Sequence, residues 1–272
     1  MKKILLVISV LCGLNLANAT ATPPEIENFD IRYYDPSNYG LRDLVFEMRM
    51  SNLVETMKQR LQIKDLVDVY FKIYWMYPGK YKVDVEGLPA GFKEIKSELK
   101  AMVKNRLDFV IPEKLSPKVR SYELKAQKSK KGTTIVGTDK THTRAVNEIR
   151  LSFDGGGKLT GFKTMSPMGV NTSEMKMSAK SWSHNKWVVD RLIVKSIQGI
   201  QMTEINHDVE YENVDGFGFP KKVEVMTTRK LVKPESVKSK DEQLKLKTEV
   251  MFSKYEVNTG KAQRYITQGL RK

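Results

Sequence analysis

The sequence predicts a mainly β (α+β) protein: a curved antiparallel sheet, or incomplete β-barrel, of about ten strands with one amphipathic helix covering it. Three observations carry this. Apolar and polar residues alternate over most of the 272-residue chain, turn signals break the alternation at short intervals, and only one stretch has a helical period. At 40% hydrophobic residues the chain can bury a sizeable core, which argues against disorder.

The N-terminus reads as a secretory signal. Met1-Lys2-Lys3 is basic, Ile4 to Leu16 is apolar, and Ala17-Asn18-Ala19 offers small residues for cleavage after Ala19. Asn15 and Asn18 interrupt the run, so it is short of the roughly 20 apolar residues of a membrane helix. The one cysteine, Cys12, follows Leu11 rather than the small residue that lipid modification wants, and it leaves with the signal. The expected product is a cysteine-free periplasmic chain, residues 20–272, forming a single domain.

Tyr33 to Gly40 is a turn-rich lead-in. Leu44, Phe46, Met48 and Met50 then alternate with charged residues. In the next run Val67, Val69, Phe71, Ile73, Trp75 and Tyr77 form one apolar stripe, and Pro78-Gly79 turns the chain into Tyr81, Val83 and Val85, a hairpin. Phe92, Ile95, Leu99, Met102, Val103 and Leu107 recur at helical spacing, so Gly91 to Asp108 is expected to be the helix of a helix-plus-loop insert over 90–117. Short strands follow from Lys118 onward. Asp154 to Gly157 reads as a hairpin turn, because it lacks the spacing of a phosphate loop. The polar stretch 231–243 is expected to be a mobile loop between two strands.

Chemistry is sparse. His142, His184 and His207 are isolated, so no metal and no cofactor are expected. No Gly-x-Ser-x-Gly elbow supports a hydrolase, and adjacent His207 and Asp208 would face opposite ways on a strand. No enzymatic role is expected. The formal charge of +15 invites nucleic acid, but the charge is scattered through an exported chain, with its densest runs at Lys125 to Lys131 and Arg229 to Lys247, so a solvated face is favoured, with an anionic membrane surface as a further partner.

An apolar sheet face must be covered by core, by helices or by a ligand. The sharper expectation is a concavity that receives an acyl chain, lined by Phe46, Met48, Phe71, Ile73, Trp75, Met175, Met177 and Trp182, since flexible Met side chains suit adaptable surfaces.

Two local motifs, Tyr74-Trp75-Met76-Tyr77-Pro78-Gly79-Lys80-Tyr81-Lys82-Val83 and Val209 through Gly216-Phe217-Gly218-Phe219-Pro220 to Val223, resemble respectively the hairpin with a Pro-Gly or Pro-x turn before a basic-aromatic strand and the Gly-x-x-x-Pro link between late strands in the periplasmic lipoprotein carrier and outer-membrane lipoprotein receptor superfamily (LolA/LolB-like). The strand order extends the likeness over most of 40–257. The chain departs from that group in its 90–117 insert and in showing no early helix before the first strand. The resemblance implies an unclosed barrel that shields lipoprotein acyl chains. The expected function is thus a monomeric periplasmic binding protein for a lipid or lipid-modified partner; the alternative is an envelope interaction protein that docks an anionic partner through its basic surface.

Overall fold

The computed structural model describes residues 22–141, 143–231 and 243–268. The expected signal with Ala19 and Cys12, most of the 231–243 loop, and His142 lie outside the described residues.

Twelve antiparallel strands form one sheet: β1 Asp43–Met50, β2 Tyr70–Met76, β3 Lys80–Glu86, β4 Glu123–Ser129, β5 Gly132–Thr138, β6 Glu148–Asp154, β7 Leu159–Ser166, β8 Gly169–Ala179, β9 Trp187–Gln198, β10 Gln201–Val214, β11 Phe217–Leu231 and β12 Leu244–Val257. They lie in the order β3-β2-β1-β12-β11-β10-β9-β8-β7-β6-β5-β4. The first and last strands are neighbours, and β3 and β4 remain as edges, so the sheet is not closed.

The mainly β, antiparallel expectation holds, but two counts are corrected. Among the described residues there are twelve strands rather than about ten, and five α-helices rather than one: α1 Pro24–Arg32, α2 Leu53–Leu61, α3 Lys93–Leu107, α4 Leu115–Val119 and α5 Lys261–Gln268. Only α3, with 15 residues, is long enough for its period to show. The others have nine residues or fewer, and tertiary packing rather than a long repeat sustains such helices. Helix α1 buries Ile26 and Phe29, three apart, so a helix does precede the first strand. Val67 also departs from the expected stripe: β2 begins at Tyr70, and Val67 sits before it, 88% exposed.

The core falls into two clusters. One joins Phe46, Met48, Phe71 and Ile73 with Leu53 and Met57 of α2, Leu99, Val103 and Leu107 of α3, and Val223, Val250 and Phe252. The other joins Ile26 and Phe29 of α1, Leu115 and Val119 of α4, and Ile135, Leu151, Phe153 and Trp187 of β5, β6 and β9.

On the opposite face of β1, Glu47 is buried between two cations. It accepts from Arg49 Nη1 at 2.6 Å and from Lys254 Nζ at 3.0 Å, and Arg49 also reaches Asp68 at 3.0 Å. Burial opposes ionisation of Glu47, but the bonds from Arg49 and Lys254 outweigh it and hold its pKa below the usual 4.5. A lowered carboxylate pKa contributes stability that is fully present above the unfolded value and is lost as pH falls through the folded one. The Glu47→Gln variant is therefore expected to be less stable than the parent at neutral pH and to converge with it as the pH falls through the lowered Glu47 pKa. Unfolding midpoints across an acid series measure this; parallel curves would remove the carboxylate from the explanation.

Candidate functional site

A concavity of about 680 Å³ lies at the β2–β3 turn end of the sheet. Four segments wall it. The first is the turn after α1, where Asp35 Oδ1 accepts from Ser37 N at 2.9 Å and Gly40, at φ 96°, ends a 3-10 turn over Pro36–Tyr39. The second is the β2–β3 hairpin, which supplies Trp75, Tyr77, Pro78 and Tyr81. The end of α3 gives Lys104, Leu107 and Asp108, the connection into α4 gives Ile111, Glu113 and Lys114, and α4 itself gives Lys118.

The aromatic and aliphatic walls follow from alternation. Trp75 pairs with Tyr81 across the hairpin, so both point to one face. Trp75 is buried and its ring closes the inner wall; Tyr77 and Tyr81 are exposed towards the opening. Charges gather on the α3–α4 side. Lys118 Nζ lies 3.5 Å from Asp108 and 3.1 Å from Glu113. Burial raises the pKa of Asp108; Lys118 works against the shift and Glu113 adds to it. Lys104 and Lys114 form no ion pair among the described residues. The site therefore offers an apolar wall at the hairpin, with most of its charge on the α3–α4 side and Asp35 at the turn after α1, which suits a ligand with a long apolar part and a polar end.

A small aromatic cluster stands next to it. Tyr34 packs edge-on to Trp182 at 5.2 Å and Trp182 lies 5.4 Å from Tyr211. The Tyr34 hydroxyl accepts from Gly218 N at 3.2 Å, and Tyr211 donates to Val189 O at 3.0 Å. Burial drives the Tyr211 pKa well above its ordinary value.

Of the eight residues expected to line a ligand site, Trp75 alone borders this concavity. Phe46, Met48, Phe71 and Ile73 are fully buried in the first core cluster beside α2 and α3. Met177 is buried in the second cluster, with Met175 packed against it, and Trp182 belongs to the aromatic cluster. Tyr81, Leu107 and Ile111 were not singled out as lining. Tyr81 had a signal, being Trp75's hairpin partner; Leu107 and Ile111 read only as helix face and helix stop.

The histidines remain apart. His184 stacks on Tyr39 at 4.1 Å. His207 faces Phe109 at 5.6 Å, with Nδ1 3.3 Å from Leu192 O, and burial lowers its pKa. Asp208 pairs instead with Arg191 at 3.3 Å. Among the described residues, no three His, Cys, Asp or Glu side chains are grouped to hold a metal ion, and no helix is long and apolar enough to cross a membrane. Compared with protein-family models, curated proteins and solved structures, the chain matches none.

Proposed function

We propose that the protein is a non-catalytic periplasmic carrier that shields an acyl chain, of a lipid or of a lipid-modified protein, in the concavity beside Trp75. The observation that carries this reading is the concavity itself. Its volume of about 680 Å³ falls within the ~300–1,000 Å³ of ligand sites, and Trp75, Tyr77, Tyr81, Leu107 and Ile111 give it a largely apolar wall. At roughly 0.8 kcal/mol per buried CH₂, a chain of about a dozen carbons supplies about 10 kcal/mol before ordering costs are subtracted. Lys104 and Lys114 meet a carboxylate or phosphate at the polar end. An unclosed antiparallel sheet with a helix before its first strand is also what the lipoprotein-carrier resemblance leads one to expect.

Native mass spectrometry of protein purified without detergent, with lipid extraction of the same sample, tests the reading. An acylated species is expected to co-purify. Tyr81→Lys puts a charge at the opening without cutting into the core and should reduce occupancy at least tenfold with an unchanged circular dichroism spectrum. A parent protein that is empty, and that takes up neither added fatty acid nor lipopeptide, would overturn the carrier reading.

A further inference from the structure

The opposite end of the sheet has a different character. Successive hairpins bring the turn at Pro167–Met168, between β7 and β8, and the turn at Gly199–Ile200, between β9 and β10, to the end where β11 finishes at Leu231 and β12 starts at Leu244. This end projects. Strand β12 pairs with β1 only from Val250 onward, and Ser51 and Asn52 just past β1 still bond Glu249 and Lys247, so 244–246 run beyond them by about 10 Å of strand at ~3.4 Å per residue.

Its large apolar side chains are bare: Met168 is 78% exposed, Ile200 66%, Leu244 66% and Leu246 53%. Single exposed apolar residues are ordinary on any surface, but several sharing one end of a sheet form a patch. Charge changes over the same distance. Farther from the tip, carboxylates and lysines are matched: Lys195 pairs with Glu174 and Glu204, and Lys222 and Lys247 pair with Glu224 and Glu249. In the last rows, 165–171, 196–203, 228–231 and 243–246, there is no Asp or Glu, while Arg229, Lys230 and Lys245 remain. None of these three forms an ion pair among the described residues.

The register sets the cations on both sides. Arg229 is opposite Leu244 and Lys230 is opposite Met202; consecutive on β11, they point to opposite faces. A sheet end with apolar tips, cations on both flanks and, among the described residues, no acids suits edge-on entry into a bilayer. The tips reach the acyl boundary while the flanking cations meet phosphates on either side. A folded acidic protein would need one continuous complementary face, which separate turn tips do not offer.

We propose that this end, at Met168, Ile200, Leu244, Arg229, Lys230 and Lys245, is a docking surface for an anionic lipid bilayer. It stands apart from the Trp75 concavity, at the other end of the strands, and does not rest on the carrier reading.

Flotation with vesicles of phosphatidylcholine and phosphatidylglycerol in equal parts, beside phosphatidylcholine alone, tests it. The purified protein is expected to float with the mixed vesicles at low salt, to do so less at high salt, and to bind the neutral vesicles weakly. Arg229→Ala/Lys230→Ala/Lys245→Ala should weaken binding about 100-fold, from several-fold per cation near a charged surface. Met168→Asp/Ile200→Asp changes only turn residues and should weaken it at least tenfold with an unchanged unfolding midpoint. Tyr81→Lys should leave vesicle binding intact, and the turn variant should leave acyl occupancy intact, so the two readings fail separately. Absence of binding to mixed vesicles at low salt, or parent-like binding by either tip variant, would overturn the proposal.

Discussion

Replacing Phe71 by alanine is expected to destabilise the protein by about 3–5 kcal/mol, the usual cost of removing a buried aromatic ring. For a chain of this size that lowers the unfolding midpoint by about 6–20 °C. Phe71 is 0% exposed and belongs to the cluster that holds Phe46, Ile73, Leu99 and Val103, so truncation removes contacts to both the sheet and α3. The calorimetric midpoint of Phe71→Ala, beside Phe71→Leu as a smaller truncation, measures this. The leucine variant should lose only part of the stability, because most of the apolar volume stays. A parent-like midpoint in the alanine variant, with altered acyl occupancy, would mean that Phe71 lines a site instead of filling the core.

That outcome matters because the sequence cannot separate the two roles. Phe71, Ile73 and Trp75 lie on one face of β2, and period-two alternation reveals that face without ambiguity. Core and concavity continue one another along the same stripe. What divides them is where α3 ends and the chain turns into α4, which depends on tertiary packing around Leu107 and Ile111. The β2–β3 hairpin was legible from Pro78-Gly79, and α3 from its 15 residues, because both signals are local. The meeting of β1 with β12 was not, since the pairing joins residues some 200 positions apart and both strands carry the same alternation. The cationic end was legible only in part: Arg229 to Lys247 is one of the two densest basic runs in the sequence, but Met168, Ile200 and Leu244 look unremarkable in their own neighbourhoods and join it only when the hairpins stack.

Asp30 gives the second large expected effect, and it bears on the concavity directly. Its carboxylate ends α1 and accepts from Leu115 N at 2.6 Å, from Ser116 N at 2.9 Å and from the Ser116 hydroxyl. The first two are amides at the start of α4, which have no partner inside that helix, so Asp30 supplies its N-terminal cap from a distant segment. The charge also sits at the favourable end of the helix dipole. Asp30→Ala leaves the buried Leu115 amide and the half-buried Ser116 amide unsatisfied and should cost about 2–4 kcal/mol; Asp30→Asn keeps one acceptor oxygen and should cost about half. Pro117 and Lys118 of α4 are part of the concavity wall, so loosening α4 has a functional signature that a general loss of stability lacks. Acyl occupancy in Asp30→Asn, measured well below its unfolding midpoint, is expected to fall while vesicle binding at the far end of the sheet stays at the parent level. Equal loss of both would show that Asp30 supports the whole fold; loss of neither, with a parent-like midpoint, would show that α4 holds its place through Leu115 and Val119 alone.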